Sequence, residues 1–228
     1  MDRRKRIALY GGTFDPIHLG HLEVAGRVTE LFEIGELLFV PAQLAPHKLQ
    51  RDVTSALHRY AMVALATQNT PHLSVSTFEL DAPGGCYTAD TVGHFKSQLD
   101  EATDLFFVMG ADSFAEITSW HEWKRLLTAT NHVVVTRPGY PLDGWPMNPL
   151  LAERIVDVRG ENVNQIADRM RSSQRERVFV TDAVMSDISA TGIRRAVREN
   201  APELNRMVPT PVADYIRKYR LYEDSNED

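Results

Sequence analysis

What most limits how this chain can fold is an alternation of two periods along nearly its whole length. Short apolar runs, beginning with Ile7–Tyr10, are followed by stretches whose apolar residues recur every three or four positions. Leu22, Ala25, Val28 and Phe32 carry the first such stripe and predict a helix over 19–32. A second strand, "ELLFVPA", is stopped by Pro41, and a helix follows over 56–68. "LSVSTFEL" alternates like a strand, "YTADTVGHFKSQL" has helical spacing, and "LFFVMG" is again a strand. Two short helical stretches in "SFAEITSWHEWKRLL" precede the strand "HVVVT". "RVFVT" is a further strand, with a helix over 190–199 and a last one after Pro209 and Pro211.

Apolar strands separated by helices imply a parallel sheet covered on both sides. The expected fold is therefore α/β, a Rossmann-like doubly wound parallel sheet with helices on both faces and a small C-terminal helical extension. The expectation is one domain over 1–228, with the helical portion at about 188–222 and an acidic, frayed tail at 223–228. The Pro- and Gly-rich stretch "GYPLDGWPMNPLLAER" reads as an irregular surface excursion.

In a sheet of this kind, ligands bind outside the carboxyl ends of the strands. Four segments fall there: "GGTFDPIHLGH", "MGADSF", "TRPG" and "SDISATGIRR". Neither G-x-x-x-x-G-K-[ST] nor G-x-G-x-x-G occurs, so the two commonest phosphate cradles are missing. The first segment offers another. Gly11 and Gly12 are expected to let the backbone turn sharply and approach a ligand. The N–H groups of the helix start that follows attract anions. His18 and His21 lie three apart on one face of that first turn, with Gly20 leaving room between them. Histidines can donate hydrogen bonds to phosphate and change charge near neutral pH. By spacing alone the pair would equally suit a polar helix start. Ser189 and Thr191 can cap the helix over 190–199, and a capped helix start is itself an anion site. Arg137, at the end of a strand, is well placed for a nucleotide or is an ordinary loop cation. Asp112 could simply cap the helix after "MGA".

A formal net charge of −6 argues against a nucleic-acid partner but not against small anionic substrates, which a few local cations can hold. Cys86 is the only cysteine, which excludes an internal disulfide and a cysteine-based zinc site. The four-residue apolar run before the glycines is too short for a secretory signal, and no later run reaches membrane-spanning length. The expectation is a cytoplasmic protein with no membrane partner, a homo-oligomer being left open. No metal-ligating residues are assigned.

The string "GGTFDPIHLGH" resembles the signature of the nucleotidyltransferase superfamily, whose T/H-x-G-H element is "HLGH" here. The superfamily's I-S-x-T-x-x-R element is matched by "ISATGIR" at residues 188–194. The finer pattern is similar to the bacterial nicotinate-nucleotide adenylyltransferases: Pro46-His47-Lys48, "YTADT", "GADSFAEITSWHEWKRLL", "VVVTRPG" and "VADYIRKYRLY". The likeness covers nearly the whole chain and is weakest over about 139–177. Ala89 and Gly192 stand where bulkier or charged residues are common in that family.

The resemblance implies transfer of AMP from ATP to nicotinate mononucleotide, giving nicotinate adenine dinucleotide and pyrophosphate in NAD biosynthesis. It implies that His18 and His21 contact the ATP phosphates, with Lys48 and Arg194 as cations for the triphosphate. Gly11, Gly12, Thr13, Phe14, Gly110, Asp112, Arg137, Ile188, Ser189 and Thr191 complete the implied ATP site. Thr13, Phe14, Lys48, Thr88, Asp112 and Trp120 form the implied acceptor site. There Thr88 lies near the nicotinate carboxylate, Asp112 bonds a ribose and Trp120 stacks on the pyridine ring. By spacing alone Trp120 and Trp123 would read as core. Mg²⁺ is expected to travel with ATP. The rival readings are a pantetheine-phosphate adenylyltransferase-like enzyme and a non-catalytic nucleotide sensor on the same fold.

Overall fold

The computed structural model describes residues 4–43, 53–82, 85–136, 145, 148–173, 175–182, 184 and 187–223. The strands are β1 (Lys5–Gly12), β2 (Glu36–Pro41), β3 (Leu73–Val75), β4 (Thr103–Gly110), β5 (Asn131–Val135), β6 (Ile155–Asp157) and β7 (Val178–Thr181). The α-helices among the described residues are α1 (Leu19–Leu31), α2 (Ala56–Thr67), α3 (Thr88–Ser97), α4 (Ala111–Ala115), α5 (Trp123–Ala129) and α6 (Pro149–Ala152). They continue with α7 (Val163–Arg171), α8 (Ala190–Arg198), α9 (Leu204–Met207) and α10 (Thr210–Lys218).

The seven strands make one parallel sheet in the order β3-β2-β1-β4-β5-β7-β6. Alternate residues of each strand feed two separate cores. Ala8, Tyr10, Phe106, Val108, Val133 and Phe179 point to one, where α1, α2, α8 and α10 cover the sheet. Ile7, Leu9, Leu105, Phe107, Val134 and Val180 point to the other, under α3, α4 and α5. Because both faces are buried, the strands read as continuous apolar runs. The chain moves outward from β1 to β2 and β3, and from β4 in the opposite direction. The carboxyl ends of β1 and β4 therefore flank the switch point, where a doubly wound sheet opens a crevice.

The observed elements depart from the sequence reading in four places. The strand expected over "LSVSTFEL" stops at Val75, and residues 78–80 form a turn. β6, α7 and α9 were not anticipated. The excursion after β5 is not wholly at the surface: Trp145 is buried edge-on against Phe114 (centroids 4.7 Å apart), and Leu151 of α6 is buried too. Gly11 and Gly12 do not break β1, which runs through Gly12. The acidic tail beyond 223 lies outside the described residues.

Candidate active site

β1 delivers the chain to a tight loop, and the strain of that loop falls on Phe14, not on the glycines. Phe14 has φ 50°, in the left-handed region that non-glycine residues rarely enter, whereas neither Gly11 nor Gly12 has a positive φ. The glycines serve packing. A Cβ at Gly11 would sit 2.7 Å from Phe107 Cζ, and one at Gly12 would sit 2.8 Å from Phe14 Cζ. Both rings are buried, so neither can swing away. The sharp turn expected at these glycines is absent, and each instead lies with its Cα against a phenyl ring.

The loop ends at His18, the N-cap of α1, with His21 in the third helical position. The two imidazoles stack with centroids 3.7 Å apart. His21 Nδ1 accepts the His18 backbone N–H at 3.3 Å, which leaves the His21 proton on Nε2. The His21 ring is also wedged edge-on against Phe14 (5.1 Å) and Tyr10 (6.1 Å). Burial pushes His18 down to about 4. It lowers His21 well below its ordinary value, with the neighbouring His18 adding repulsion. The expected charge change near neutral pH is thus absent from the free protein: both rings are neutral N–H donors there.

These histidines line a cleft of about 360 Å³ at the switch point, together with Gly20, Gly110, Asp112 and Ile188. Five residues of the implied ATP site therefore meet at one opening: His18, His21, Gly110, Asp112 and Ile188. Asp112 caps nothing, since Gly110 is the N-cap of α4 and makes no side-chain bond. Its carboxylate is exposed at the cleft. Ser189 is the N-cap of α8 and accepts the Gly192 N–H at 3.1 Å. A side chain at Gly192 would meet Ser189 Oγ at 3.2 Å. Arg194 is turned to the loop: its Nη1 donates to Asp15 O at 2.6 Å and its Nη2 to Thr191 Oγ1 at 3.3 Å. Lys48 and Arg137 lie outside the described residues.

Thr88 and Trp120 do not line that cleft. They belong to a second surface, where the start of α3 faces the chain between α4 and α5. Tyr87 stacks on His121 with centroids 4.1 Å apart, bringing the neighbours of Thr88 and Trp120 together. Arg125 of α5 pairs with Asp90 of α3 and, at 2.9 Å, with Glu122. Trp120 is half-buried against the second core, and Trp123 packs there too. Beneath the first turn of α3, Glu79 accepts Thr91 Oγ1 at 2.7 Å, and burial pushes its carboxyl up to about 7.

Two buried groups here were not found by sequence reasoning. Arg59, only 1% exposed, donates Nη1 to Thr13 O (2.7 Å), Nη2 to Ala42 O (2.6 Å) and Nε to Thr54 O (2.9 Å). It thereby ties the β1–α1 loop to the chain on both sides of residues 44–52. Asp15 accepts the Tyr222 hydroxyl at 2.8 Å and the Thr54 N–H at 3.4 Å. Arg59 does have a signal in the sequence: it shares the apolar stripe of α2 with Met62 and Val63. Asp15 and Tyr222 stand inside two of the strings that carry the family resemblance, "GGTFDPIHLGH" and "VADYIRKYRLY", but nothing in the sequence pairs them.

A family model described as cytidylyltransferase-like matches residues 9–196. A protein of Thermoanaerobacter sp. named probable nicotinate-nucleotide adenylyltransferase is 37% identical over 227 residues, covering 100% of this chain and 99% of the relative. A protein of Mycolicibacterium vanbaalenii with the same name is 34% identical over 99% of this chain and 95% of its own. Among solved structures, nicotinic acid mononucleotide adenylyltransferase of Plasmodium falciparum, complexed with NaAD, superposes with a TM-score of 0.70. It is 20% identical, covers 96% of this chain and 97% of its own, and so shows the fold alone.

Proposed function

We infer the reaction from one premise: the chain belongs to the cytidylyltransferase-like family and, within it, to the nicotinate-nucleotide adenylyltransferases. The protein moves AMP from ATP to nicotinate mononucleotide, forming nicotinate adenine dinucleotide and pyrophosphate, a step of NAD biosynthesis. A phosphate oxygen of the mononucleotide attacks the α-phosphorus in line, and the bond from that phosphorus to the bridging oxygen of pyrophosphate breaks. The protein need form no bond of its own. Its work is alignment and stabilisation of charge on the phosphates.

The observation that carries this reading is the neutral, stacked pair His18 and His21 at a helix start in the switch-point cleft. Two imidazole N–H donors, His18 buried and His21 half-buried, and the first-turn N–H groups of α1 form a cradle for a polyanion without burying cations. A bound triphosphate would draw protons toward the pair, strengthening the contact as charge shifts to the leaving pyrophosphate. Thr13, Phe14, Gly110, Asp112, Ile188, Ser189 and Thr191 would surround the nucleotide, with Lys48, Arg137 and Arg194 as its cations. Magnesium enters with ATP as part of the substrate, held chiefly by phosphate oxygens. Among the described residues no group of three or more His, Cys, Asp or Glu side chains is placed to hold a metal ion. Thr88 and Trp120 receive the nicotinate ring. No described helix is long and apolar enough to cross a membrane, and the reading places the enzyme in the cytoplasm.

The test uses ATP labelled at the α-phosphorus, with magnesium and nicotinate mononucleotide. The label should appear in the dinucleotide, with one pyrophosphate released per dinucleotide formed. Tight ATP binding without turnover would make the protein a nucleotide sensor instead, and turnover only with phosphopantetheine would move it to the rival enzyme.

A further inference from the structure

We propose that Tyr222, near the C-terminal end of the chain, is a positioning residue of the nucleotide site, holding the β1–α1 loop in its bent form through Asp15. The inference rests on the adenylyl-transfer reading of that site.

The loop is over-determined by bonds from distant parts of the chain. Thr13 O is held by Arg59 of α2, and Asp15 O by Arg194 of α8. The Asp15 carboxylate, 5% exposed, takes the Tyr222 hydroxyl on Oδ1 and the Thr54 N–H on Oδ2. Between these anchors lies Phe14, at φ 50°. A residue in that conformation persists only where its surroundings insist on it. The Phe14 ring packs against His21 on one side and Phe39 (5.4 Å) on another. A continuous path of contacts thus leads from Tyr222 through Asp15 and Phe14 to the imidazole at the helix start.

The end of the chain is bent to make this contact. α10 stops at Lys218, and both Arg220 (φ 51°) and Tyr222 (φ 67°) then take left-handed backbone conformations. Leu221 N–H closes the turn on Ile216 O at 3.0 Å, and the Leu221 and Tyr222 side chains pack against the first core. Two unfavourable backbone conformations within three residues carry the hydroxyl to Asp15. Burial and the Asp15 charge both raise the Tyr222 pKa, so the hydroxyl keeps its proton and donates.

The experiment compares Tyr222→Phe, Asp15→Asn and the double variant in the full chain. Tyr222→Phe removes one oxygen atom. It should keep cooperative thermal unfolding and lower kcat about tenfold, as small displacements of a positioned group do. KM for nicotinate mononucleotide should stay within about twofold, because Asp15 lies on the phosphate side. The double variant should be no slower than Asp15→Asn alone. Turnover of Tyr222→Phe within twofold of wild type, or effects that multiply in the double variant, would overturn the proposal. A second readout is independent of turnover and of whether Asp15→Asn folds: the His21 imidazole ¹H–¹⁵N signals of wild type and Tyr222→Phe. They should differ, and identical signals would overturn the proposal. A wild type that turns over no acceptor would defeat the adenylyl-transfer reading, while the imidazole signals would still decide for or against the path.

Discussion

The two halves of the proposed site are built in different ways. On the nucleotide side, Thr13 and Asp15 of the β1–α1 loop are held by partly buried bonds from remote segments: Arg59, Thr54, Arg194 and Tyr222. On the acceptor side, the start of α3 is joined to the Trp120 region by exposed contacts, a Tyr87–His121 stack and an Arg125–Asp90 pair. Tyr87 is 53% exposed, and the Arg125 and Asp90 side chains are 49% and 47% exposed. Phosphate chemistry needs donors already in place when charge develops, since moving them during the reaction would raise the barrier. An acceptor ring needs a surface on which to stack, and its carboxylate needs only the N–H groups of a helix start. The buried half should therefore be intolerant of change and the exposed half forgiving.

The largest effect expected is at His21. His21→Ala should fold and lose about 10²–10⁴-fold in kcat, the range for a positioned catalytic group. Turnover within a few-fold of wild type in steady-state assays would break the comparison at its strongest point.

The buried half should also be sensitive to acid. The folded pKa of His18, about 4, lies below its ordinary value of 6.5. As pH falls below 6.5 the unfolded chain takes up a proton that the folded protein refuses, so stability is full above that pH and declines toward 4. At pH 5 the cost from His18 is about 2 kcal/mol. His132, buried in β5 and also lowered to about 4, adds a similar amount from the core. Urea titrations at pH 7 and pH 5 should show His18→Asn losing about 2 kcal/mol less than wild type on acidification. An equal loss in the two proteins would mean that His18 is not buried as a neutral ring.

On the acceptor side the effects shrink. Trp120→Ala should raise KM for the mononucleotide roughly tenfold, since stacking a base on an aromatic ring contributes about 1–3 kcal/mol. Its KM for ATP should hardly move, and equal changes in both would place Trp120 in the nucleotide half. Arg125→Ala should be smallest: an exposed ion pair contributes about 0.2–1 kcal/mol, so thermal unfolding and turnover should stay near wild type. A loss of activity there would show that the exposed half is as finely held as the buried one.

The sequence reveals these halves unevenly. β1, α1 and β4 are legible because burial on two faces forces long apolar runs and a clear helical stripe. "HLGH" is legible because cap and first turn are contiguous. β6 is not, since Ile155–Asp157 is a three-residue strand whose residues are half-buried or exposed, and so carries no period. The apparent strand over 76–80 shows the converse, an alternation that arises in a turn. The bracing of the β1–α1 loop is the least legible, because Arg59 binds backbone carbonyls and Tyr222 meets Asp15 across almost the whole chain. Neither contact depends on nearby residue types. The histidines were found, but their neutrality was not, because it follows from stacking and burial, not from spacing.

The most direct measurement is the choice between nicotinate mononucleotide and nicotinamide mononucleotide, which differ by a carboxylate against a neutral amide. At the start of α3 a carboxylate would meet N–H donors, a contact favoured by roughly 0.3–1 kcal/mol from the helix end. A charge-assisted hydrogen bond adds about 1.5–3 kcal/mol. The amide offers one uncharged carbonyl oxygen to those donors and turns its N–H₂ toward any second one. With ATP and magnesium saturating, kcat/KM for the nicotinate form should exceed that for the nicotinamide form by at least about tenfold. Comparable values for the two would contradict the acceptor site placed at Thr88 and Trp120.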